Sequence, residues 1–518
     1  MRESVKGANT TGPMGEVRQS PIAMDAETFR TVGHALVDQL AALLESIPER
    51  PVTRDQSPSA IREALNLDAD LPEEGAAPGA LLEESASLLF RHSLFNAHPR
   101  FFGYITAPPA PIGILGDFLA AAVNANVGAW TLSPAATEIE SQTVRWIAQL
   151  IGYPHQCGGL MVSGGNMANL VCFWAARAAK ATWDVRQDGV ADASGRRLRV
   201  YCSTETHTWV QKAADLAGLG TASTRWIPTG ADLRMDIDAL RRAMAADVAA
   251  GDLPFMVVGT AGSVSTGAVD PLPAIAAACR EHDAWFHVDG AYGGFAVASP
   301  DAPADLAGLR EADSVAIDPH KWLYAPLEAG CALVRDPEQL RAAFSYHPPY
   351  YHFEEGATNY VDYGPQNSRG FRALKVWLSL RHAGAAGYRA MIAEDIRLSR
   401  SLAEAVRRTP ELQGMTQSLS ITTFRYVPAD LSDRLGNAAV EEYLDALNRE
   451  ILGRLQRGGE IFVSNAVIAG RYVLRGCIVN FHTTRADVES VPAIVVRVGR
   501  TVDGELRSRL LKQDAATS

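Results

Sequence analysis

From Phe29 to Ile47 the apolar residues of FRTVGHALVDQLAALLESI recur at steps of three and four, the spacing of one face of an α-helix, and Pro48 and Pro51 close the pattern. LDADLPEEGAAPGA (67–80) reads as a linker, a helical pattern follows over 81–97, and HPRFFGYITAPPAP is a proline-broken aromatic loop. From about 110 to 350 short apolar or β-branched runs alternate with helical stretches: GLMV (159–162), LRVYCS (198–203), PFMVVGT (254–260), AWFHVD (284–289), SVAI (314–317) and CALV (331–334). That alternation predicts an α/β fold with a mainly parallel central sheet and helices on both faces. Beyond about 365 the pattern is helical to Ala403, then strand-rich (ITTFRYV, EIFVSNAVIAG, RYVLRGCIVNF) with a helix over 438–457 and another at the end. The expected division is a disordered extension (1–23), an N-terminal helical segment (24–109), a large α/β domain (110–379) and a small C-terminal α+β domain (380–518).

Composition narrows the class. The chain has 518 residues, 47% of them hydrophobic, and a net charge of −11, which argues against a nucleic-acid scaffold, whose footprint would be basic. The six cysteines form no CxxC pair and read as free thiols of a reducing compartment, with no metal expected. No apolar run reaches membrane-spanning length and the first residues lack a signal-peptide core, so a cytoplasmic protein without a membrane partner is expected.

Candidate chemistry lies at the predicted strand ends, where such sheets bind ligands. In IDPHKW (317–322) a strand ends and turns into Lys321, a residue that taken alone reads as a surface charge. In HVDGAYGG (287–294) Asp289 ends another apolar strand; such a buried carboxylate either caps the next turn or meets a cationic partner, for which a protonated pyridine nitrogen is suited. SGGNMANL (163–170) joins a strand to a helix, and Ser163, Gly164, Gly165 and Asn166 either make an ordinary turn or bring free N–H groups and a helix N-terminus to a phosphate. His207, in STETHTWV, is either a satisfied histidine or a ring placed over a cofactor. Thr260, Ser263 and Ser265, in GTAGSVSTG, form a polar loop or supply hydroxyls to a cofactor.

Taken together, SPAATEIE, SGGNMANL, HVDGAYGG, DPHKW, FRALKVW and LRGCIVNFHTT, in this order, resemble the group II pyridoxal-phosphate (PLP) decarboxylases, the aromatic-L-amino-acid decarboxylases above all and glutamate decarboxylase more distantly. The resemblance runs from about Met24 over nearly the whole chain. It implies a PLP fold type I (aspartate aminotransferase-like) homodimer, with the 24–109 segment in dimerisation and active sites at the subunit interface. Lys321 resembles the Schiff-base lysine, His320 the histidine near the phosphate, Asp289 the partner of the pyridine nitrogen with Ala291 packed nearby, and His207 the histidine stacked on the ring. Gly164, Gly165 and Asn166 match the phosphate turn, Phe102, Tyr104 and Thr106 the segment lining the substrate pocket, and Tyr350 the loop tyrosine that helps protonate the substrate carbon. The sequence departs from the family at Gly290, where alanine is usual, at Ile105, where the aromatic branch tends to carry an aromatic residue, and at Pro108-Pro109.

The implied activity is PLP-dependent decarboxylation of an L-amino acid to its amine, of an aromatic one (tryptophan, tyrosine, phenylalanine or dihydroxyphenylalanine) given Phe101, Phe102, Tyr104 and Trp130. The alternatives are an acidic substrate, which needs a cationic partner such as Arg100 or Arg369, and a decarboxylating aldehyde synthase, against which Tyr350 argues because phenylalanine there marks the oxidative route. A non-catalytic PLP-binding protein would have no need of Lys321, Asp289, His207 and Tyr350 together.

Overall fold

The computed structural model describes residues 20–347 and 356–517, with side chains as far as Arg507 in the last helix. Contacts divide the described chain into two units, one made of residues up to 50 with 54–94, the other of 51–53 with everything from 95 onward.

The first unit is helical: α1 (Ala26–Ser46), α2 (Pro58–Ala64) and α3 (Pro78–His92). Asp25 starts α1 by accepting the Thr28 N–H at 2.8 Å, and Ser57 starts α2 by accepting the Ala60 N–H at 3.1 Å. Pro78 begins α3 three residues ahead of the expected start, because a proline at the first helical position gives up only an N–H that has no partner there.

The second unit opens with β1 (Phe101–Phe102), which belongs to a smaller sheet described below. The large sheet contains β2 (Gly158–Val162), β3 (Leu198–Ser203), β4 (Thr224–Ile227), β5 (Leu253–Thr260), β6 (Trp285–Asp289), β7 (Ser314–Ile317) and β8 (Gly330–Val334), in the order β2-β8-β7-β6-β5-β3-β4. All six runs expected from the sequence are strands; β4, a half-exposed edge strand, has too short an apolar pattern to stand out. Strand alternation sorts the side chains into two cores. Met161, Tyr201, Val257, Val288, Val315 and Leu333 face one, while Leu160, Val200, Met256, Val258, Ala316 and Ala332 face the other. The first core is covered by α5 (Pro134–Leu150), α8 (Ile237–Ala249) and α9 (Leu272–Glu281), the second by α6 (Gly165–Lys180), α7 (Trp209–Leu216) and α10 (Pro337–Phe344); α4 (Pro111–Val123) lies against α11 (Ala373–Arg407), which kinks at Gly384.

Only β8 runs against its neighbours β2 and β7. Parallel neighbours need a crossover, usually a helix, whereas antiparallel ones can be joined directly. The β7–β8 connection therefore contains no helix and stays at the sheet edge, and it carries Lys321.

The smaller sheet, ordered β1-β11-β12-β10-β9, contains β9 (Leu412–Ser418), β10 (Ile421–Tyr426), β11 (Phe462–Ile468) and β12 (Arg471–Cys477), packed with α11, α12 (Ala438–Gly458) and α13 (Arg485–Thr517). Phe101 and Phe102 pair in parallel with Phe462 and Val463, so the aromatic loop that precedes the large sheet is stitched into the C-terminal one. Periodicity gives no sign of this, since two residues cannot establish a period.

Candidate active site

Strands β2, β3, β5, β6 and β7 point the same way, so their carboxyl ends share one edge of the sheet. A cavity of about 800 Å³ opens there. It brings together Ser163, Gly164, Gly165 and Asn166 from the end of β2, His207 after β3, Thr260 from β5, Asp289 and Ala291 from β6, and His320 and Lys321 after β7. Tyr104 and Thr106 line it as well. Two expected residues lie elsewhere. Phe102 is fully buried in the core of the smaller sheet, and Ser263 is turned into its own loop, bonding Thr266 Oγ1 at 3.0 Å, which leaves Ser265 on the cavity wall. Tyr350 lies outside the described residues.

The turn before α6 is built for close approach. Gly164, with φ of 151°, caps the helix, and a Cβ on Gly165 would come within 2.8 Å of Asp318 Oδ2 and 2.9 Å of the Ala291 methyl. At Gly330 a Cβ would meet the Gly164 backbone at 2.5 Å, so β8 passes directly over the turn. The first amides of α6 have no helical partner and face the cavity with the positive end of the dipole. Gly165→Ala is expected to force this turn apart, an overpacking cost of about 1–3 kcal/mol. It should weaken PLP uptake by the apoprotein by about tenfold or more, followed by absorbance titration. Unchanged affinity would show that the anion is held elsewhere.

Asp289 is buried and already oriented. Trp209 Nε1 donates to Oδ2 at 2.8 Å and the Ala291 N–H to Oδ1 at 3.1 Å. Beneath it His287 is wholly buried, which lowers its pKa to about 4 and keeps it neutral. Its Nε2–H donates to Asn169 Oδ1 at 2.7 Å, and its Nδ1 accepts from Ser314 Oγ at 2.8 Å. The imidazole beneath the carboxylate thus carries no charge.

Lys321 Nζ lies 2.9 Å from Asp318 Oδ2, while Asp318 Oδ1 is buried without a partner. Burial lowers the His320 pKa, and the neutral ring donates from Nδ1 to the Ala329 carbonyl at 2.7 Å, fastening the two limbs of the β7–β8 connection. His207 is exposed to the cavity, its Nδ1 accepting the Trp209 N–H at 3.3 Å. Thr260 joins a hydroxyl chain through Thr206 to Ser203, each step 3.2 Å.

Several lining residues escaped the motif reading: Asn169, Glu205 and Trp209, and from the smaller sheet Ser464, Asn465 and Arg475. Arg475 is 2% exposed. Its Nη1 donates to the Tyr104 carbonyl at 3.1 Å and to Ser464 Oγ at 3.0 Å, whereas Nε and Nη2 are buried with no partner. A lone arginine inside the apolar run YVLRGCIV was the available signal, since a buried charge demands a reason. The arginines weighed from the sequence are placed differently. Arg369 is buried against Glu140 and the Val127 and Met161 carbonyls, and neither it nor Arg100 lines the cavity.

The donor set suits a phosphorylated pyridine aldehyde: helix amides for a phosphate, a carboxylate for a ring nitrogen, and a primary amine on the same cavity wall. Comparison with known proteins agrees. The pyridoxal-dependent decarboxylase conserved domain matches residues 58–426. An aromatic-L-amino-acid decarboxylase of Bacillus atrophaeus is 32% identical over 90% of this chain and 94% of its own length, and a phenylacetaldehyde synthase of Petunia hybrida is 30% identical over 89% and 92%. The crystal structure of Oryza sativa TDC with PLP and tryptamine superposes with a TM-score of 0.85 at 31% identity, covering 93% of this chain and 99% of the rice chain.

Proposed function

The chain belongs to the pyridoxal-dependent decarboxylase family, and from that premise we propose that it decarboxylates an aromatic L-amino acid to the amine and CO₂. It is a PLP-dependent amino acid decarboxylase, a carbon–carbon lyase of fold type I. The observation that carries the residue assignments is that Lys321, Asp289 and the N-terminus of α6 open onto one cavity.

When bound, PLP supplies the electron sink for the pair released as the Cα–carboxylate bond breaks. Lys321, the primary amine on the cavity wall, would hold it covalently. Asp289 keeps the ring nitrogen protonated, an opposite charge favouring the charged form. The α6 amides and Ser163 would hold the phosphate, and His207, Thr260 and His320, which line the same cavity, would contact the rest of the cofactor. Tyr350, with His207, returns a proton to Cα. Tyr104 and Thr106 border the substrate.

Arg475 supports a second reading. Its guanidinium is buried in the cavity wall with Nε and Nη2 unpartnered, and its charge would favour a carboxylate of the substrate. If that carboxylate belongs to the substrate's side chain, the preferred substrate is acidic. Names among the relatives favour the aromatic reading: aromatic-L-amino-acid decarboxylase in one case, tryptamine bound in another.

The protein is further proposed to act as a cytoplasmic homodimer. Among the described residues no helix is long and apolar enough to cross a membrane. One face of α4 leaves Leu115, Phe118, Leu119 and Val123 each more than half exposed, an apolar patch that a second copy would cover.

A panel of aromatic and acidic L-amino acids, with CO₂, amine and hydrogen peroxide measured together, tests the whole reading. Amine from aromatic substrates, without peroxide, is expected. Preference for glutamate or aspartate, abolished in Arg475→Met, would establish the acidic alternative; stoichiometric peroxide with aldehyde would establish the oxidative one.

A further inference from the structure

The turn that carries Lys321 hangs from one buried carboxylate. Asp395, on α11, is 2% exposed. Its Oδ2 accepts the Trp322 indole N–H at 3.1 Å and the Tyr324 hydroxyl at 2.7 Å, and the Asn480 backbone N–H reaches it as well. Seven residues earlier, and so on the same face of the helix, Tyr388 donates its hydroxyl to the Leu323 carbonyl at 3.0 Å. The three residues that follow Lys321 are therefore all bound to one face of α11. On the opposite side Trp322 stacks on Tyr292 with ring centres 4.9 Å apart. Tyr324 has φ of 53°, a conformation that a bulky side chain keeps only where its surroundings impose it.

We propose that Asp395 is a positioning residue for the decarboxylation: by gripping Trp322 and Tyr324 it fixes the turn from which Lys321 reaches the cavity. The proposal rests on the assignment of Lys321 made above. Charge strengthens this grip, because a carboxylate accepts hydrogen bonds more strongly than the neutral acid does. Burial raises the Asp395 pKa from 3.8 to about 7, so the grip tightens as pH rises through neutrality. Of the ionisable groups around it, three stay neutral through that range. Tyr324 and Tyr388 are pushed well above their ordinary range and the Cys477 thiol of β12 is raised, in each case by burial. His482, beyond Phe481, is lowered by burial, and Glu394 is its neighbour on α11.

The sign separates positioning from stability. A carboxyl whose pKa is raised on folding favours the fold fully below about 3.8, and that contribution fades as pH climbs to about 7. Acidification therefore stabilises the fold through this group while it loosens the turn, so lost activity at low pH cannot be lost folding through Asp395.

Asp395→Asn keeps the shape and an acceptor oxygen but cannot titrate. In the apoprotein, tryptophan emission followed from about pH 5.5 to 8.5 is expected to show a step near 7. That step should vanish in Asp395→Asn and in Trp322→Phe. In the loaded enzyme Asp395→Asn should lower kcat by about tenfold to a hundredfold, change KM by less than about twofold, and lose the acid limb of the kcat profile. An emission step that persists in Asp395→Asn, or an unaltered kcat profile, overturns the proposal. Should Asp395→Asn fail to fold by circular dichroism, Tyr324→Phe, which deletes one donor, gives the same reading: a kcat loss supports the grip and an unchanged kcat overturns it. Turnover surviving in Lys321→Ala would instead remove the assignment on which the proposal rests, without altering the emission step of the apoprotein.

Discussion

Lys321→Ala is expected to abolish turnover, by about 10³-fold or more, because it deletes the group proposed to bind the cofactor covalently, the one lysine on the cavity wall among the described residues. Lys321 is the cavity's lysine, held 2.9 Å from Asp318 Oδ2, and His320 beside it is bound to the far limb of the same connection. Alanine should leave that connection folded, since its ties run through His320, Trp322 and Tyr324. The variant should still take up PLP through the α6 turn and Asp289, yet borohydride reduction and mass spectrometry should find no covalent adduct. Amine production at the normal rate would end the assignment of Lys321, and with it the mechanism.

The second largest effect is expected from Asp289→Asn. The substitution preserves volume but removes the charge proposed to keep the ring nitrogen protonated. It also confronts either Trp209 Nε1 or the Ala291 N–H, the two donors now at 2.8 and 3.1 Å, with an NH₂ group. A fall in kcat of about 10²–10³-fold is expected, with the cofactor still attached to Lys321. Trp209→Phe separates the two contributions. It deletes one hydrogen bond and leaves the charge, and should cost no more than about tenfold. Were the asparagine variant as fast as the parent, electrostatic support of the ring would have to come from another group.

Much of this was legible from residue order. Each strand of the large sheet that carries a site residue is a short apolar run, and a parallel sheet places the ends of such runs on one edge whatever the loops do, so Gly165, His207, Asp289 and Lys321 converge. Phe102 and Ser263 were misplaced for a local reason. Their neighbours Tyr104 and Ser265 do reach the cavity, but the direction of a side chain in a two-residue strand or a tight loop is set by hydrogen bonds that no periodicity encodes.

What the amino-acid order determined by itself was the family, the cofactor and the α/β frame, because glycines, a terminal carboxylate and a lysine at successive strand ends answer to local backbone and charge rules. Tertiary structure alone decided which groups complete the site. Arg475 faces the cavity because β1 joins the C-terminal sheet and brings Tyr104 against it, and Asp395 supports the Lys321 turn because α11 packs behind it. Both contacts join residues far apart in the chain, and a buried charge reveals its purpose only when folding shows what surrounds it.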